Sequence, residues 1–258
     1  PIDFQPKEPR GKAARHIGGV RTLRSKRMAM RILALDTALA HCSAAVFDTD
    51  LDRRLGGESL PMERGHAEAL MPLIVRVMDQ AECEFAQLDR VAVTVGPGSF
   101  TGLRVGIAAA RGIALAASVE AVGVSTLAAY AAPCIANDLA DIVATAIDAR
   151  HGHLFLQLFG GARAELRIGA YVDLDAARSA LAETEGPVHL AGPAADMLAG
   201  LWPAGRAEPI VHRTGPAPDI DWVARLGAAA SAETAPAKPL YLRAPDARPQ
   251  NAARLPHQ

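Results

Sequence analysis

Apolar and polar positions alternate along the first part of the chain in a way that is typical of short strands. One apolar run begins at residue 31 and leads to the acid Asp36 and to Thr37, a second covers 42–48, and a third covers 53–59. Because these runs are short and are joined by short turns, they predict an antiparallel meander of three strands.

A helical period replaces this alternation at residue 66. Leu70, Ile74 and Val77 recur at steps of three and four residues, which predicts an amphipathic helix over 66–81. The elements expected next are a strand over 90–95, a helix that Ser99 or Thr101 opens and that runs to 117, a strand over 121–124, and a helix from Thr126.

The second half of the chain repeats the opening pattern. Ala146-Ile-Asp148 matches Ala34-Leu-Asp36 at an offset of 112 residues, and Phe159 matches Phe47 at the same offset. The repeat predicts two related lobes, each with a meander followed by strand–helix units. We therefore expect an α/β fold with a mixed sheet and flanking helices in each lobe.

The second lobe and the chain ends complete the predicted organisation. The expected elements are a third strand over 163–168, a helix over 173–183, a strand over 187–191, a helix over 193–201, a connecting loop over 203–218, a helix over 219–230 and an extended segment over 239–243. The predicted divisions are a leader over 1–29, an N-terminal lobe over 30–136, a C-terminal lobe over 137–245 and a frayed tail over 246–258.

Charge is distributed unevenly over a chain that is almost neutral as a whole. Residues 1–31 hold nine of the 27 Lys and Arg residues but only two of the 28 acidic ones, so the remainder is acidic. An acidic body disfavours direct binding of nucleic acid. The basic leader lacks the apolar region of a secretory signal. We expect it to be a non-native or mis-started, disordered segment that precedes a start at Met28 or Met30.

Cysteine usage bears on the cellular compartment. Cys42, Cys83 and Cys134 are odd in number and show no C-x-x-C spacing. They predict buried thiols in a reduced, cytoplasmic protein, and they favour neither a disulfide framework nor a zinc site.

The run from Gly96 to Gly102, Gly-Pro-Gly-Ser-Phe-Thr-Gly, is expected to turn from a strand into a helix. It has no lysine for a Walker loop, and its last glycine comes one residue too late for the dinucleotide fingerprint. Two interpretations stay open. Backbone amides at the helix start can hold an anion, or the glycines serve a turn that needs positive φ.

The helix that follows carries small residues along one stripe, at Gly102, Gly106 and Ala110. Such a stripe lets another element approach the helix backbone closely. Arg104 and Arg111 interrupt the apolar run, so we do not expect a membrane span. The stripe predicts a tight contact, either inside the chain or with a partner.

Several segments together resemble the TsaB (YeaZ) family of the actin/Hsp70/sugar-kinase (ASKHA) superfamily. They are Ile32-Leu-Ala-Leu-Asp-Thr37, Gly65-His-Ala-Glu-Ala-Leu-Met-Pro72, Val95-Gly-Pro-Gly-Ser-Phe-Thr-Gly-Leu-Arg-Val-Gly106, Val122-Gly-Val-Ser-Thr126, Asp148-Ala-Arg150 and Pro239-Leu-Tyr-Leu-Arg243. The resemblance runs from about residue 31 to 245, and the Gly-Pro-Gly-Ser-Phe-Thr-Gly-Leu-Arg segment is the most specific part.

The resemblance implies a cytoplasmic, non-catalytic subunit for making N6-threonylcarbamoyladenosine at position 37 of tRNAs that read ANN codons. In that family the chain pairs with the transferase TsaD, and the ATPase TsaE joins the complex. A homodimer forms through the same helical surface when TsaD is absent. In the complex with TsaD, this chain would contact the tRNA only indirectly.

The resemblance also implies two sets of site residues. The expected partner-binding residues are His66, Leu70, Ile74, Val77, Gly102, Leu103, Gly106, Ile107 and Ala110. The expected contacts to a nucleotide or anion are Asp36, Thr37, Gly96, Gly98, Ser99, Thr101 and Arg104. For Arg104 a second role stays open, which is an ion pair with an acid across the cleft between the lobes. No cofactor or metal is expected on this chain alone, although ATP or ADP would fit at the partner interface.

The residues themselves favour a non-catalytic role. Catalytic relatives bind a metal with a helical His-x-x-x-His pair, whereas here Leu70 follows His66. The loops after Asp36 and Asp148 lack the Asp-x-Gly glycines that let backbone approach phosphates. Asp36 is either a residual phosphate-side acid or a cap for the turn after it. His151 and His153 have no third ligand that the sequence identifies, which favours turn residues over a metal site.

The same residues bear on two other functions. An autonomous ATPase or small-molecule kinase of this superfamily would bind or hydrolyse ATP by itself, and the missing glycines argue against it. A tRNA-binding module is disfavoured by the acidic body.

Overall fold

The computed structural model of the chain describes residues 29–136, 142–160 and 165–243. The expectations for the leader, apart from Ala29, and for the tail concern residues outside these ranges.

The first sheet forms from the opening meander and two further strands. Its strands are β1 (Arg31–Asp36), β2 (His41–Asp48), β3 (Arg53–Pro61), β4 (Arg90–Gly96) and β5 (Glu120–Ser125). Their spatial order is β3-β2-β1-β4-β5. Strand β2 pairs antiparallel with both β1 and β3, and β4 pairs parallel with both β1 and β5. Strands β1 and β4 are almost fully buried, which agrees with their continuous apolar runs.

The second sheet repeats the first. Its strands are β6 (Ile142–Arg150), β7 (His153–Gly160), β8 (Glu165–Asp173), β9 (Val188–Ala191) and β10 (Ile210–Val211). The order β8-β7-β6-β9-β10 is the order of the first sheet, strand for strand, with the same directions. This confirms the duplicated ASKHA-like α/β fold. The short β10 falls in the stretch 203–218, so the prediction of a loop throughout that stretch was wrong.

The helices lie close to their predicted positions. They are α1 (His66–Gln80), α2 (Phe100–Ala117), α3 (Thr126–Ala136), α4 (Leu174–Ala182), α5 (Ala195–Gly200) and α6 (Ile220–Ala229). A 3-10 turn at Phe85–Gln87 was not predicted. Ser99 caps α2, since its hydroxyl accepts a hydrogen bond from the Gly102 amide.

The helices and sheets stack in layers. Helices α1 and α2 cover one face of the first sheet, and α4 and α5 cover the outer face of the second sheet. Helix α3 lies between the sheets and contacts strands of both. Helix α6 packs on β1, β2 and β4, so the expectation that it belongs to the second lobe was wrong.

Close packing and ion pairs hold α6 against the first sheet. A Cβ on Gly227 would lie 2.3 Å from the Cβ of Ala92, so only glycine allows this approach. The Arg90 guanidinium donates to the carbonyls at the end of α6, including that of Gly227 at 3.1 Å. Arg54 pairs with Asp221 through two hydrogen bonds. These contacts have no helical period, which is why the sequence did not show them.

Helix α2 is long and apolar enough to cross a membrane by length and composition alone. It carries Arg104 and Arg111, and its Leu103, Ile107 and Ala110 are buried in the core beneath α1 and α2. In this structure it serves as a core helix of the first lobe.

Candidate partner-binding face and glycine turn

The glycine turn between β4 and α2 packs against backbone of the same chain. A Cβ on Gly98 would lie 2.3 Å from the carbonyl oxygen of Ala38, and one on Gly96 would lie 2.7 Å from that of Leu240. Leu240 in turn donates its amide to Val95 at 2.7 Å. Gly96 also has a φ of 119°, which favours glycine. Two neighbouring segments therefore occupy the space that the glycines leave.

The amides of this turn are also engaged internally. The Ser99 amide donates to the carbonyl of Ala38 at 2.7 Å, and the Gly102 amide donates to the Ser99 hydroxyl at 3.3 Å. These are two of the donors that an anion at the helix start would need. The geometry therefore favours the structural turn over an anion site.

Arg104 belongs to a surface cluster instead of pointing freely into solution. Its guanidinium lies 3.8 Å from the centre of the Phe100 ring, and its Nε donates to the Tyr241 hydroxyl at 3.1 Å. The two aromatic rings stack with centroids 5.3 Å apart. The cluster fastens the segment 239–243 to the start of α2. Sequence reasoning missed Phe100 and Tyr241 as a pair, although both lie in segments that carry the family resemblance.

The stripe of small residues on α2 faces the end of β1. A Cβ on Gly102 would lie 2.1 Å from the carbonyl oxygen of Thr37, and one on Gly106 would lie 2.4 Å from the Thr37 hydroxyl oxygen. That hydroxyl donates to the carbonyl of Gly102 at 2.7 Å. Of the two interpretations of the stripe, the contact inside the chain is the one that the structure shows.

All nine residues predicted to bind a partner are buried within this chain. They are His66, Leu70, Ile74, Val77, Gly102, Leu103, Gly106, Ile107 and Ala110. Their side chains or glycine backbone pack toward the first sheet, so the predicted orientation of the two helices was wrong. The physical reason is that the sheet beneath needs an apolar cover, and the most continuous apolar face of each helix supplies it.

The opposite sides of the same helices carry a second set of apolar residues that is exposed. Met71 and Val75 on α1 are 46% and 48% exposed, and Leu115 on α2 is 83% exposed. Ala108 and Gly112 are exposed on the same side of α2. Gly112 lies four residues after Ala108, and Leu115 lies three residues after Gly112. We call Met71, Val75, Ala108, Gly112 and Leu115 the outward face. At the C-terminal end of α2, Arg111, Gly112 and Leu115 help to line a shallow groove of about 460 Å³.

Asp36 is fully buried at the end of β1. The Thr94 hydroxyl and the Ala38 amide both donate to its Oδ1, at 2.5 Å and 3.1 Å, while Oδ2 has no hydrogen-bond partner. Burial raises the pKa of this carboxyl, and the two hydrogen bonds oppose that rise. The bond to the Ala38 amide is the predicted cap of the turn. Because the carboxyl is sealed from solvent, this geometry supports the capping role over a phosphate-side acid.

The histidines singled out by the sequence have structural partners. The Nε2 of His66 lies 3.1 Å from the carbonyl of His41, and Leu70 is buried one turn later. His151 lies in a turn with a φ of 53°, and its carbonyl contacts the Nδ1 of His153 at 2.9 Å. His153 stacks on Tyr171 with ring centroids 4.5 Å apart. Among the residues that the structure describes, His66, His151 and His153 belong to no group of three or more potential metal ligands.

Comparisons with known proteins identify relatives of this chain. A family model described as TsaD, tRNA N6-adenosine threonylcarbamoyltransferase, matches residues 60–199, which is more than half of the chain. The tRNA threonylcarbamoyladenosine biosynthesis protein TsaB of Escherichia coli K12 is 36% identical over 126 residues, covering 49% of this chain and 53% of that protein. The alignment thus spans about half the length of that relative.

Two further relatives extend along most of the chain. An uncharacterized protein of Mycobacterium tuberculosis H37Rv is 33% identical over 226 residues, covering 84% of this chain and 94% of its own. The structure of YeaZ from Pseudomonas aeruginosa superimposes with a TM-score of 0.66 at 25% identity, covering 83% of this chain and all of that one. With the shared fold and the match over residues 60–199, the chain belongs to the TsaB (YeaZ) family.

Proposed function

We propose that this chain is a non-catalytic subunit required for N6-threonylcarbamoyladenosine formation at position 37 of tRNAs that read ANN codons. It acts by pairing with a TsaD-type transferase and activating it. The relatives named as tRNA threonylcarbamoyladenosine biosynthesis proteins support the pathway. The match to a transferase family model supports a partner that is related to this chain in fold.

The main support for pairing is the exposed outward face. Its exposed apolar side chains lie on two adjacent helices, α1 and α2, that cover the same face of the first sheet. Large apolar side chains that stay exposed on the outer side of two neighbouring helices are candidates for a protein–protein interface. Gly112 has no other atom within 4 Å of where its Cβ would lie. A partner helix could therefore approach α2 closely at this point, and Leu115 would serve as an anchor.

The buried acid and histidine support the non-catalytic part of the proposal. The carboxyl of Asp36 is sealed beneath Thr94 and Ala38, and the ring of His66 is bound to backbone carbonyls of the β1–β2 connection. Neither group reaches a substrate from these positions. The transferase chemistry would therefore reside in the partner.

The remaining partners follow from the family and belong to the same proposal. A TsaE-type ATPase would join the complex, a homodimer would use the outward face when the transferase is absent, and the tRNA would be contacted only through the complex in the cytoplasm. A nucleotide would bind at the partner interface and not on this chain alone. Of the predicted nucleotide contacts, Ser99, Thr101 and Arg104 are exposed and so available to contact it.

The test is to mix this chain with the same organism's TsaD-type protein and to measure association by size-exclusion chromatography with light scattering. We expect a one-to-one complex, and modification of tRNA by the mixture but by neither protein alone. Leu115→Arg should abolish the complex, whereas Ile168→Arg, a similarly exposed residue on β8 in the second lobe, should leave it intact. Two folded proteins that do not associate would overturn the proposal. ATP turnover by this chain alone would favour the kinase or ATPase alternative.

A further inference from the structure

Two histidines meet on one face of the second sheet because of strand register. His189 on β9 is paired with Ile210 on β10, and the amide of His212 continues the ladder by donating to the Leu190 carbonyl at 2.8 Å. Side chains alternate between the faces of a sheet. His212, two residues past Ile210, therefore lies on the same face as His189.

Helix α3 brings a thiol to the same face. Cys134 packs with Val143, Phe159 and Ala191 in the cluster beneath α3, and Ala191 shares the strand face of His189 because it is two residues further along β9. Cys134 is 3% exposed and His189 is 4% exposed, while His212 is half-buried. The site therefore has one side open toward solvent, through His212.

The three side chains already point at one another. The Nδ1 of His189 lies 2.8 Å from the Nε2 of His212, and the rings stack with centroids 4.9 Å apart. One potential ligand atom from each of Cys134, His189 and His212 lies within 4.8 Å of those of the other two. Two imidazole nitrogens on one tetrahedral Zn²⁺ lie roughly 3.3 Å apart, since each Zn–N bond is about 2.0–2.1 Å. Small side-chain rotations would thus turn this cluster into a ligand set.

We propose that Cys134, His189 and His212 bind a zinc ion. A thiolate with two imidazoles is a donor set that suits Zn²⁺, and a fourth position toward solvent would hold water. The sequence predicted no zinc site, because the ligands are 55 and 23 residues apart and share no motif. On binding, the thiol proton leaves to solvent. The imidazole that donates in the His189–His212 hydrogen bond exchanges its proton through solvent to its outer nitrogen, so both facing nitrogens become free to ligate.

The location indicates what the ion would do. Helix α3 contacts β4 and β5 of the first sheet and β6, β7 and β9 of the second. An ion held by α3, by β9 and by the segment after β10 would fasten this shared helix to the second sheet. We expect a structural role, in which zinc stabilises the packing of the two lobes, and the inference does not depend on the proposed function.

The first test is titration of the full chain, with any histidine tag removed, with Co²⁺ as a spectroscopic probe for zinc. We expect a single Co²⁺ to bind with a thiolate-to-cobalt charge-transfer band, and Zn²⁺ to displace it. Cys134→Ser and His212→Ala should both lose the band. Cys83→Ser is the matched control, since Cys83 is also a buried free thiol but lies in the first lobe, and it should keep the band.

The second readout is thermal unfolding with and without Zn²⁺. Zinc should raise the melting temperature of the wild type and of Cys83→Ser but not that of His212→Ala, which changes a half-buried residue and so perturbs the core least. Failure of excess Co²⁺ to produce the band with wild-type protein would overturn the proposal. Survival of the band in folded Cys134→Ser or His212→Ala protein would overturn it too.

Discussion

The two sides of α2 carry small residues for different physical reasons. On the inner side, a Cβ on Gly106 would collide with Thr37 at 2.4 Å, so the glycine makes room for the chain's own β1. On the outer side, Gly112 has nothing within 4 Å of that point, so packing within the chain does not require a glycine there. The same residue type thus makes room for the fold at one position, whereas at the other it borders open space outside the chain. Substitutions on each side should therefore separate stability from association.

The largest effect is expected on the inner side, from Gly106→Val. The new side chain would overlap the Thr37 hydroxyl and contact Val93, and displacement of Thr37 would break its bond to the Gly102 carbonyl. Overpacking of this kind costs about 1–3 kcal/mol, and the lost bond adds about 1 kcal/mol. Urea unfolding should show the loss. Ala108→Val, on the outer side of the same helix, should cost less than about 1 kcal/mol. Equal losses in the two variants would contradict the assignment of the sides.

The next effect is expected on the outer side of α1. Val75→Arg should weaken pairing with the transferase by roughly tenfold or more, because a charge would be buried at the interface. The free energy of unfolding of the isolated chain should change by less than about 0.5 kcal/mol, since Val75 is half exposed. Isothermal titration calorimetry and urea unfolding would measure the two quantities.

The matched control for this change is Leu51→Arg, at the turn between β2 and β3. Leu51 is 55% exposed, slightly more than Val75, and it lies on the same lobe but outside the outward face. Pairing should be unaffected. If Leu51→Arg weakened pairing as much as Val75→Arg, net charge and not the outward face would explain the effect.

A smaller effect is expected at the residue next to Thr37, where the inner side of α2 is anchored. Burial raises the pKa of Asp36, so the folded state favours its protonated form. The stabilisation from this proton is fully present below the unfolded pKa of about 3.8 and is lost as pH rises through the higher folded pKa. Asp36→Asn retains an acceptor for the Thr94 hydroxyl and the Ala38 amide without the ionisation.

We therefore expect Asp36→Asn to become more stable relative to the wild type as pH increases. Urea unfolding at several pH values between 4 and 8 would measure the difference between the two proteins. The difference should be smallest at pH 4, where the wild-type carboxyl is closest to the neutral state that the fold favours. A difference that did not change with pH would show that Asp36 is not a buried acid of raised pKa.

The sequence predicted the positions of the helices and strands along the chain better than the contacts that they make. Both meanders were found because their apolar runs match the burial of the strands, and the repeat gave the second sheet. The two-residue strand β10 was too short to show any period. The position of α6 could not be predicted, because an apolar helix face does not specify which sheet it covers. The close contact of Gly227 with Ala92 joins residues 135 apart and appears only in the folded chain.

The sequence also could not predict which side of α2 packs inside the chain, for a related reason. The helix is apolar and rich in small residues nearly all round, so its period does not distinguish a face that covers a sheet from one that meets a partner. The cluster of Cys134, His189 and His212 was missed because strand register, and not spacing along the chain, brings its members together.

The smallest change is Gly112→Ala, and it tests the comparison most sharply. The site is an exposed helical position with open space, so alanine should raise the free energy of unfolding by about 0.5–1 kcal/mol through its higher helix propensity. If a partner helix packs against Gly112, the added methyl group should at the same time weaken pairing. Urea unfolding and titration calorimetry on one preparation would measure both effects. Unchanged or tighter pairing would mean that the partner contacts Leu115 without close approach at Gly112, whereas a loss of stability would mean that α2 does not present this side to solvent.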